Sequence, residues 1–359
     1  MKDAGPIRSL AARYYTDPEV FKIEQAGVLA QTWQFACHVS ELQGVGDYYA
    51  FDLAGESLFS IRGRDGVIRT FYNVCQHRAH QLVEGQGTTR VVVCPYHAWT
   101  YELTGQLRAG PNINAVEGFN KSEICLTEVR TEEFLGFVFV NLDPNAKPMD
   151  DWFPNVRQEL ESFVPNWADL APLEWVEIPE NCNWKVSVEN YSECYHCTLN
   201  HPTFSTGVIK PETYDIQPQG YCLRHTTESN SVDQMTYDIN SGFANNDKYS
   251  SWFLWPMFSF QVYPGNLLNT YYWRAIDADH VVVGTNPAAL GTGRGNRGAG
   301  ADLSADRGLE HVPRVAGHGA EELPRSARAG ADDLLDHGSR RGRQRPCQLG
   351  VDFWQVGLS

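Results

Sequence analysis

A chain of 359 residues with 42% hydrophobic and 20% charged side chains has apolar material for about two packed domains. Its formal net charge of −15 argues against nucleic acid or an anionic membrane as the main partner, and no run of about eighteen apolar residues is present to cross a bilayer. The opening MKDAGPIRSLAARYYTDPEV has no apolar export core, and the nine cysteines are odd in number and scattered. We therefore expect a cytoplasmic protein whose thiols are free or bind metal, rather than a disulfide scaffold.

Residues 1–40 read as mostly helical, since PEVFKIEQAGVLAQTW places apolar residues at helical spacing. From Gly46 the period shortens. YYAFDLAG, SLFSIRG, VIRTFYNV, RVVVCPYHAWTYEL and FLGFVFVNL are short β-branched and aromatic runs, separated by turn signals at Ala54-Gly55, Asp65-Gly66 and Thr104-Gly105. They predict an all-β module over 41–145, closed by the polar, Pro-rich stretch 141–154. A mixed region follows from 146. It has a helix near 151–164, strand-like EWVEIPE, a helix around SVENYSECYHC, and the aromatic strands SSWFLWPMFSFQVYPGN and TYYWRAI. Residues 291–350 break the pattern, with ten Arg but no Lys, Phe, Tyr or Trp. Such a stretch lacks the large apolar groups a core needs.

Two clusters carry chemistry. In the β module, NVCQHRAH and VVCPYHAW give Cys75 and His77, then Cys94 and His97: C-x-H, sixteen residues, C-x-x-H. Two thiolates and two imidazoles suit either zinc or a [2Fe–2S] cluster with two His on one iron, and spacing alone leaves both open. Each pair follows a strand, whereas zinc fingers usually put one pair on a helix. Farther on, Glu193 precedes His196 by three residues and His201 follows by five, ahead of Pro202. On a helix Glu193 and His196 share a face, and Pro202 discourages its continuation. Two imidazoles and a carboxylate make the facial triad of non-haem Fe(II) sites.

Taken together, these motifs resemble the Rieske non-haem iron oxygenase α-subunits, from about residue 8 to about 289. The resemblance implies an α+β protein: an all-β Rieske [2Fe–2S] domain, and a catalytic domain (146–359) with a central antiparallel sheet of the helix-grip type. It implies that Cys75 and Cys94 bind one cluster iron, His77 and His97 the other, and His196 and His201 a mononuclear Fe(II). His80 and Tyr96 stand where respiratory Rieske proteins carry two further cysteines, which points to the oxygenase type. The family usually has Asp where this chain has Glu193, an electron bridge between subunits of a trimer. Glu in the context NYSECYHC is similar to the branch acting on choline, glycine betaine, proline betaine and carnitine. The implied reaction is hydroxylation or N-demethylation of a small cationic amine, with O₂ and electrons from an NAD(P)H-dependent flavin/iron–sulfur reductase.

A methylated ammonium group donates no hydrogen bonds and is bound by aromatic faces, each worth about 0.5–2 kcal/mol. Trp252, Trp255, Phe260, Tyr263 and Tyr271 are the candidates to line its pocket, although such alternating runs also fill cores. The family's third iron ligand is an Asp about eight residues ahead of a segment like the closing FWQVGLS. Eight residues before Gln355 stands Cys347, and Asp352 is out of register. A disordered tail, or a shifted reading frame over about 291–348 regained before FWQVGLS, covers both the odd composition and the missing acid. Two other functions share part of this evidence: an aromatic ring-hydroxylating dioxygenase, and an inactive remnant keeping only the Rieske electron-transfer centre.

Overall fold

The computed structural model describes residues 9–288, apart from 166, 170–174, 236, 238–246 and 266. Two short helices come first, α1 (Arg13–Thr16) and α2 (Pro18–Glu24). Asp17 caps α2 by accepting the Glu19 N–H, and Pro18 brings a ready-made φ to the first turn. A π-helical turn (Gln25–Leu29) ends the helical part.

The first module contains β1 (Gln34–His38), β2 (Asp47–Leu53), β3 (Glu56–Arg62), β4 (Ile68–Tyr72), β5 (Gln86–Thr88), β6 (Val92–Val93), β7 (Thr100–Tyr101), β8 (Leu107–Ala109), β9 (Glu128–Phe134) and β10 (Phe137–Asn141). Seven of these form one sheet in the order β1-β10-β9-β4-β3-β2-β5, and β6-β7-β8 form a smaller one. Because β1 pairs antiparallel with β10, the sheet starts before residue 41 and the helical reading of 1–40 holds only to Leu29. The signalled turns are there: Gly55, Gly66 and Gly105 all have positive φ, and Ala54 joins Gly55 in a tight hairpin with both central residues left-handed.

The second module adds α3 (Met149–Trp152), α4 (Val156–Phe163), β11 (Val176–Glu180), α5 (Trp184–Tyr191), α6 (Cys197–Asn200) and α7 (Pro202–Gly207). Then come β12 (Asp215–Gln219), β13 (Cys222–Glu228), β14 (Lys248–Leu254), β15 (Phe258–Tyr263), β16 (Leu267–Ala275) and β17 (Val281–Ala288). Its sheet runs β11-β17-β16-β15-β14-β13-β12, antiparallel throughout.

Strand alternation divides this sheet into two faces. Trp252, Leu254, Phe258, Phe260, Val262 and Leu268 point one way. They join Phe137 and Phe139 of β10 and Met149, Phe153, Val156 and Leu160 of α3 and α4 in one buried cluster. Each buried aromatic there contributes roughly 1.5–3 kcal/mol. The Pro-rich stretch 141–154 therefore marks a change of module without separating two cores. Glu159 on α4 fastens this face, accepting Arg224 Nε at 2.7 Å and the Trp252 indole N–H at 2.7 Å. The other face of the sheet is the one that α5 covers.

Candidate metal centres

Cys75 and Cys94 open two loops built to one pattern. In each, the residue four positions on donates its N–H back to the cysteine carbonyl: Ala79 to Cys75 at 2.9 Å, Ala98 to Cys94 at 3.0 Å. In each, the cysteine N–H bonds the carbonyl five positions on, His80 or Trp99. Ala79 and Ala98 both take left-handed φ, 54° and 56°, a conformation costing an L-residue roughly 1–2 kcal/mol. Paired strain of this kind belongs to a site that the surrounding structure over-determines.

The loops set the four predicted side chains in two like pairs, thiol by thiol and ring by ring. Both thiols are buried and unlinked. The His77 and His97 rings sit 4.7 Å apart at 70°, with His77 stacked on Trp99 and His97 tilted against Tyr96 at 3.8 Å. Burial, and then the neighbouring His97, lower the His77 pKa, so His77 is the poorer proton acceptor and stays neutral more readily. Burial pushes the Cys75 thiol up, while the Tyr101 hydroxyl opposes it. Tyr101 Oη accepts the Gln76 N–H at 3.0 Å and lies 3.3 Å from Cys75 Sγ, so its own proton is free to go to sulfur. His97 Nδ1 is buried without a hydrogen-bond partner. An orphaned buried imidazole nitrogen fits a metal acceptor. Among the described residues no three His, Cys, Asp or Glu side chains converge to hold a single ion. Separate Cys and His pairs fit a two-iron cluster, one pair per iron, better than one tetrahedral zinc.

At the second centre the helix ends early. α5, capped by Asn183 through the Lys185 N–H, stops at Tyr191. Glu193 and His196 therefore lie in a turn and not on one continuous helix, yet they meet: Glu193 Oε1 is 2.6 Å from His196 Nδ1. The other carboxylate oxygen of Glu193 accepts the Tyr195 N–H. His201 stands between α6 and α7: α6 ends before Pro202 as expected, and Pro202 also begins a new helix. Ser205 donates to both the Cys197 and His201 carbonyls, fixing the return. His196 Nε2 and His201 Nε2 face each other at 3.2 Å. Two nitrogens each about 2.1 Å from a metal at a right angle lie about 3.0 Å apart, so this spacing fits two neighbouring ligands of one iron. The expectation that the cysteines are free or metal-bound fails here, since Cys194 and Cys197 are joined in a disulfide. Cys347 and Asp352, together with the whole reading of 291–350, lie outside the described residues.

Of the pocket candidates, Tyr263 and Tyr271 are on the sheet face toward α5 and the His turn. Tyr263 lies 6.1 Å from Phe204 of α7, and Tyr271 lies 5.7 Å from Tyr191 of α5. Trp252 and Phe260 are a correction: one position out of phase, they point into the opposite face and are filled core. Trp255 sits at the β14–β15 turn, stacked near Tyr221. The sequence reading missed Tyr191, Phe204, Tyr214, His225, Tyr249 and Gln261. Tyr191 Oη is held by Ser251, Ser259 and Gln261, and burial pushes its pKa up to about 12. Tyr214 Oη lies 2.8 Å from His225 Nδ1, while His225 Nε2 is buried and unpartnered, and burial lowers this histidine to about 4. A signal for this face was available. Tyr249, Ser251, Phe253 and Ser259, Gln261, Tyr263 form the mixed polar–aromatic set of β14 and β15, whereas five of the seven alternate residues are apolar. A pocket for a polar ligand belongs on the mixed set.

Comparison with known proteins matches both modules. Residues 32–120 match the Rieske [2Fe-2S] domain, and residues 167–285 match the ring hydroxylating alpha subunit catalytic domain. The carnitine monooxygenase oxygenase subunit of Escherichia coli (strain K12) is 35% identical over 273 residues, covering 76% of this chain and 72% of that protein. The glycine betaine monooxygenase oxygenase subunit of Chromohalobacter salexigens is 32% identical over 209 residues, 58% of this chain and 46% of that one. Among solved structures, a quaternary ammonium Rieske monooxygenase with γ-butyrobetaine bound superposes with a TM-score of 0.69 at 30% identity, covering 82% of this chain and 78% of that one.

Proposed function

Because this chain belongs to the Rieske oxygenase α-subunits, we propose that it is the oxygenase component of a two-component monooxygenase acting on a quaternary ammonium compound. The observation that carries the reading is the line of contacts Glu193–His196–His201 beside the partly buried tyrosines of the adjoining sheet face. Cys75 and Cys94 would hold one iron of the [2Fe–2S] cluster, His77 and His97 the other, and His196 with His201 the mononuclear Fe(II). When bound, the cluster supplies single electrons and the Fe(II) activates O₂.

Each protein group then has a task. Tyr101 donates to the Cys75 sulfur and tunes the cluster. Glu193 takes the Nδ1 proton side of His196, which fixes the tautomer that turns Nε2 toward the metal. Tyr96 beside His97, and Tyr195 and Leu199 beside His196, are largely exposed. Apolar groups exposed around both centres suit a trimer in which the cluster of one copy faces Glu193 of the next, with a flavin/iron–sulfur reductase feeding the cluster. Tyr191, Tyr249, Tyr263 and Tyr271 offer ring faces to a methylated ammonium group. Where the hydroxylated carbon next to nitrogen is an N-methyl, the product would collapse to formaldehyde and the demethylated amine. Among the described residues no helix is long and apolar enough to cross a membrane.

The test is turnover with a reductase, NADH and O₂. Carnitine, γ-butyrobetaine and glycine betaine are compared with naphthalene. Oxidation of a betaine with no arene diol supports the proposal; arene diol formation overturns it in favour of a ring-hydroxylating dioxygenase.

A further inference from the structure

We propose that Cys194 and Cys197 are a reversible dithiol–disulfide pair that clamps the turn carrying Glu193 and His196. Neither thiol is used by the cluster or by the mononuclear site, yet the pair brackets His196 and directly follows Glu193. Their Cα atoms are 5.0 Å apart, and the S–S bond closes a ring around Tyr195 and His196. That ring lies in the break between α5, which ends at Tyr191, and α6, which begins at Cys197. Ser192 and the His196 carbonyl tie the ends of the break to α5 and α6, and within 193–197 one backbone hydrogen bond is made, Cys197 N–H to Cys194 C=O at 3.1 Å. Both Glu193 contacts, to the Tyr195 N–H and His196 Nδ1, are made to residues inside the ring. The geometry of the acid thus depends on a turn that little else in the backbone holds.

The position also suits redox chemistry. Cys197 is buried, and Cys194 packs partly buried against the cluster of Val208, Ile209 and Tyr249, together with Phe204, Tyr214 and Tyr263. By contrast Cys37, Cys182 and Cys222 are single thiols that burial pushes up, which disfavours thiolate. Opening the ring takes two electrons and two protons from a dithiol, which itself becomes a disulfide. Closing it takes hydrogen peroxide: two thiols lose two hydrogens, and the peroxide leaves as two waters. An enzyme that feeds electrons to O₂ makes this oxidant whenever O₂ gains two electrons and two protons without oxidising substrate. Closed, the clamp holds Glu193 on His196; open, residues 192–197 regain backbone freedom and the acid leaves the imidazole.

The experiment uses the full chain, isolated with its cluster, before and after dithiothreitol and again after hydrogen peroxide. Alkylation and mass spectrometry of the 191–200 region count thiols, and hydrogen exchange follows the Tyr195, His196 and Cys197 amides. We expect no alkylation at 194 and 197 before reduction, two alkylated thiols after it, and return to none with peroxide. Exchange at 195–197 should speed up at least tenfold on reduction. Cys194→Ser with Cys197→Ser should exchange fast in both states, with the cluster absorption unchanged; Cys194→Ser alone serves if the double variant is unstable. Free thiols in the untreated protein, or exchange indifferent to reduction, overturn the proposal. These readouts do not depend on Glu193 being the electron bridge. A further one does: reduction should slow cluster re-oxidation by O₂ and substrate tenfold in the native protein and not in the serine variant. If thiols and exchange respond but electron passage does not, the clamp stands and the bridge assignment fails.

Discussion

At the scale of single residues, hydrogen bonds to sulfur and buried imidazoles carry measurable consequences. Tyr101 is fully buried, and its hydroxyl is poised between the Gln76 N–H and the Cys75 sulfur. A proton donated to a cluster sulfur favours the reduced, more negative cluster, so Tyr101→Phe should lower the reduction potential. Taking a differential hydrogen-bond strength of about 0.5–1.5 kcal/mol, the drop is about 20–60 mV. A redox titration followed by visible circular dichroism measures it, and an unchanged potential would remove Tyr101 from the tuning of the cluster. A pH dependence comes from His38 and His225, which burial lowers from 6.5 to about 4. His38 Nδ1 accepts the Ser40 N–H, which independently requires a neutral ring there. Both imidazoles stay neutral in the folded state while the unfolded chain protonates below about 6.5. Stability should therefore be full above that pH and fall as pH drops toward 4, by about 3 kcal/mol for each histidine. Glu41, raised by burial, acts in the opposite direction and blunts the slope. Thermal melts between pH 4 and 7 should show a shallower dependence for His38→Asn, which keeps a capping side chain; parallel curves would contradict the assignment.

Among the elements, the β16–β17 pair shows how one glycine positions an aromatic. Gly284 lies opposite Tyr272, whose ring passes over it to bond Glu177 on β11. A Cβ on Gly284 would come within 2.1 Å of that ring. Gly284→Ala should therefore push Tyr272 off Phe35 and Trp175, which it meets at 5.2 and 5.3 Å, and cost about 1–3 kcal/mol. In a Tyr272→Ala background the same change should cost little, and a double-mutant cycle by chemical denaturation separates the two. An additive cycle would mean that the ring does not depend on the glycine. The same alternation explains what was legible in the sequence and what was not. The loops carrying Cys75–His77 and Cys94–His97 could be read because each donor sits at fixed spacing after a strand. The contact between Glu193 and His196 could be read because it is local, even though the helix expected to carry it ends at Tyr191. Trp252 and Phe260 were misassigned because composition names an aromatic strand while phase alone names the face. Tyr191, Tyr214 and His225 were missed because their meeting depends on how α5 and the sheet stack, across separations that no local pattern records.

For the whole molecule, the open question of chemistry is stoichiometric. The first sheet and the second share one buried cluster, from Phe137 and Phe139 across to Phe258 and Phe260, so the two modules are supported jointly. The cluster loops lean on a separate core of Phe59, Phe71, Trp99, Tyr101 and Leu107. All of the residues named in these clusters lie between 9 and 288. The mononuclear centre differs, because His196 and His201 supply only two donors and a facial triad needs a carboxylate. The resemblance implies that acid near the closing FWQVGLS, where Cys347 stands eight residues before Gln355, outside the described residues. The two centres should therefore fill independently, and iron and acid-labile sulfide per chain report on each. Anaerobic purification with added Fe(II), followed by both assays, should give about two irons and two sulfides if only the four cluster donors bind. A third iron, removable by a mild chelator while the sulfide and the visible spectrum stay constant, would mean that His196 and His201 have found their carboxylate. His196→Ala should then remove the third iron alone, and Cys94→Ala the other two with their sulfide. Loss of all iron from either variant would contradict independent filling, and would make the shared core, rather than the ligands, the element that both centres depend on.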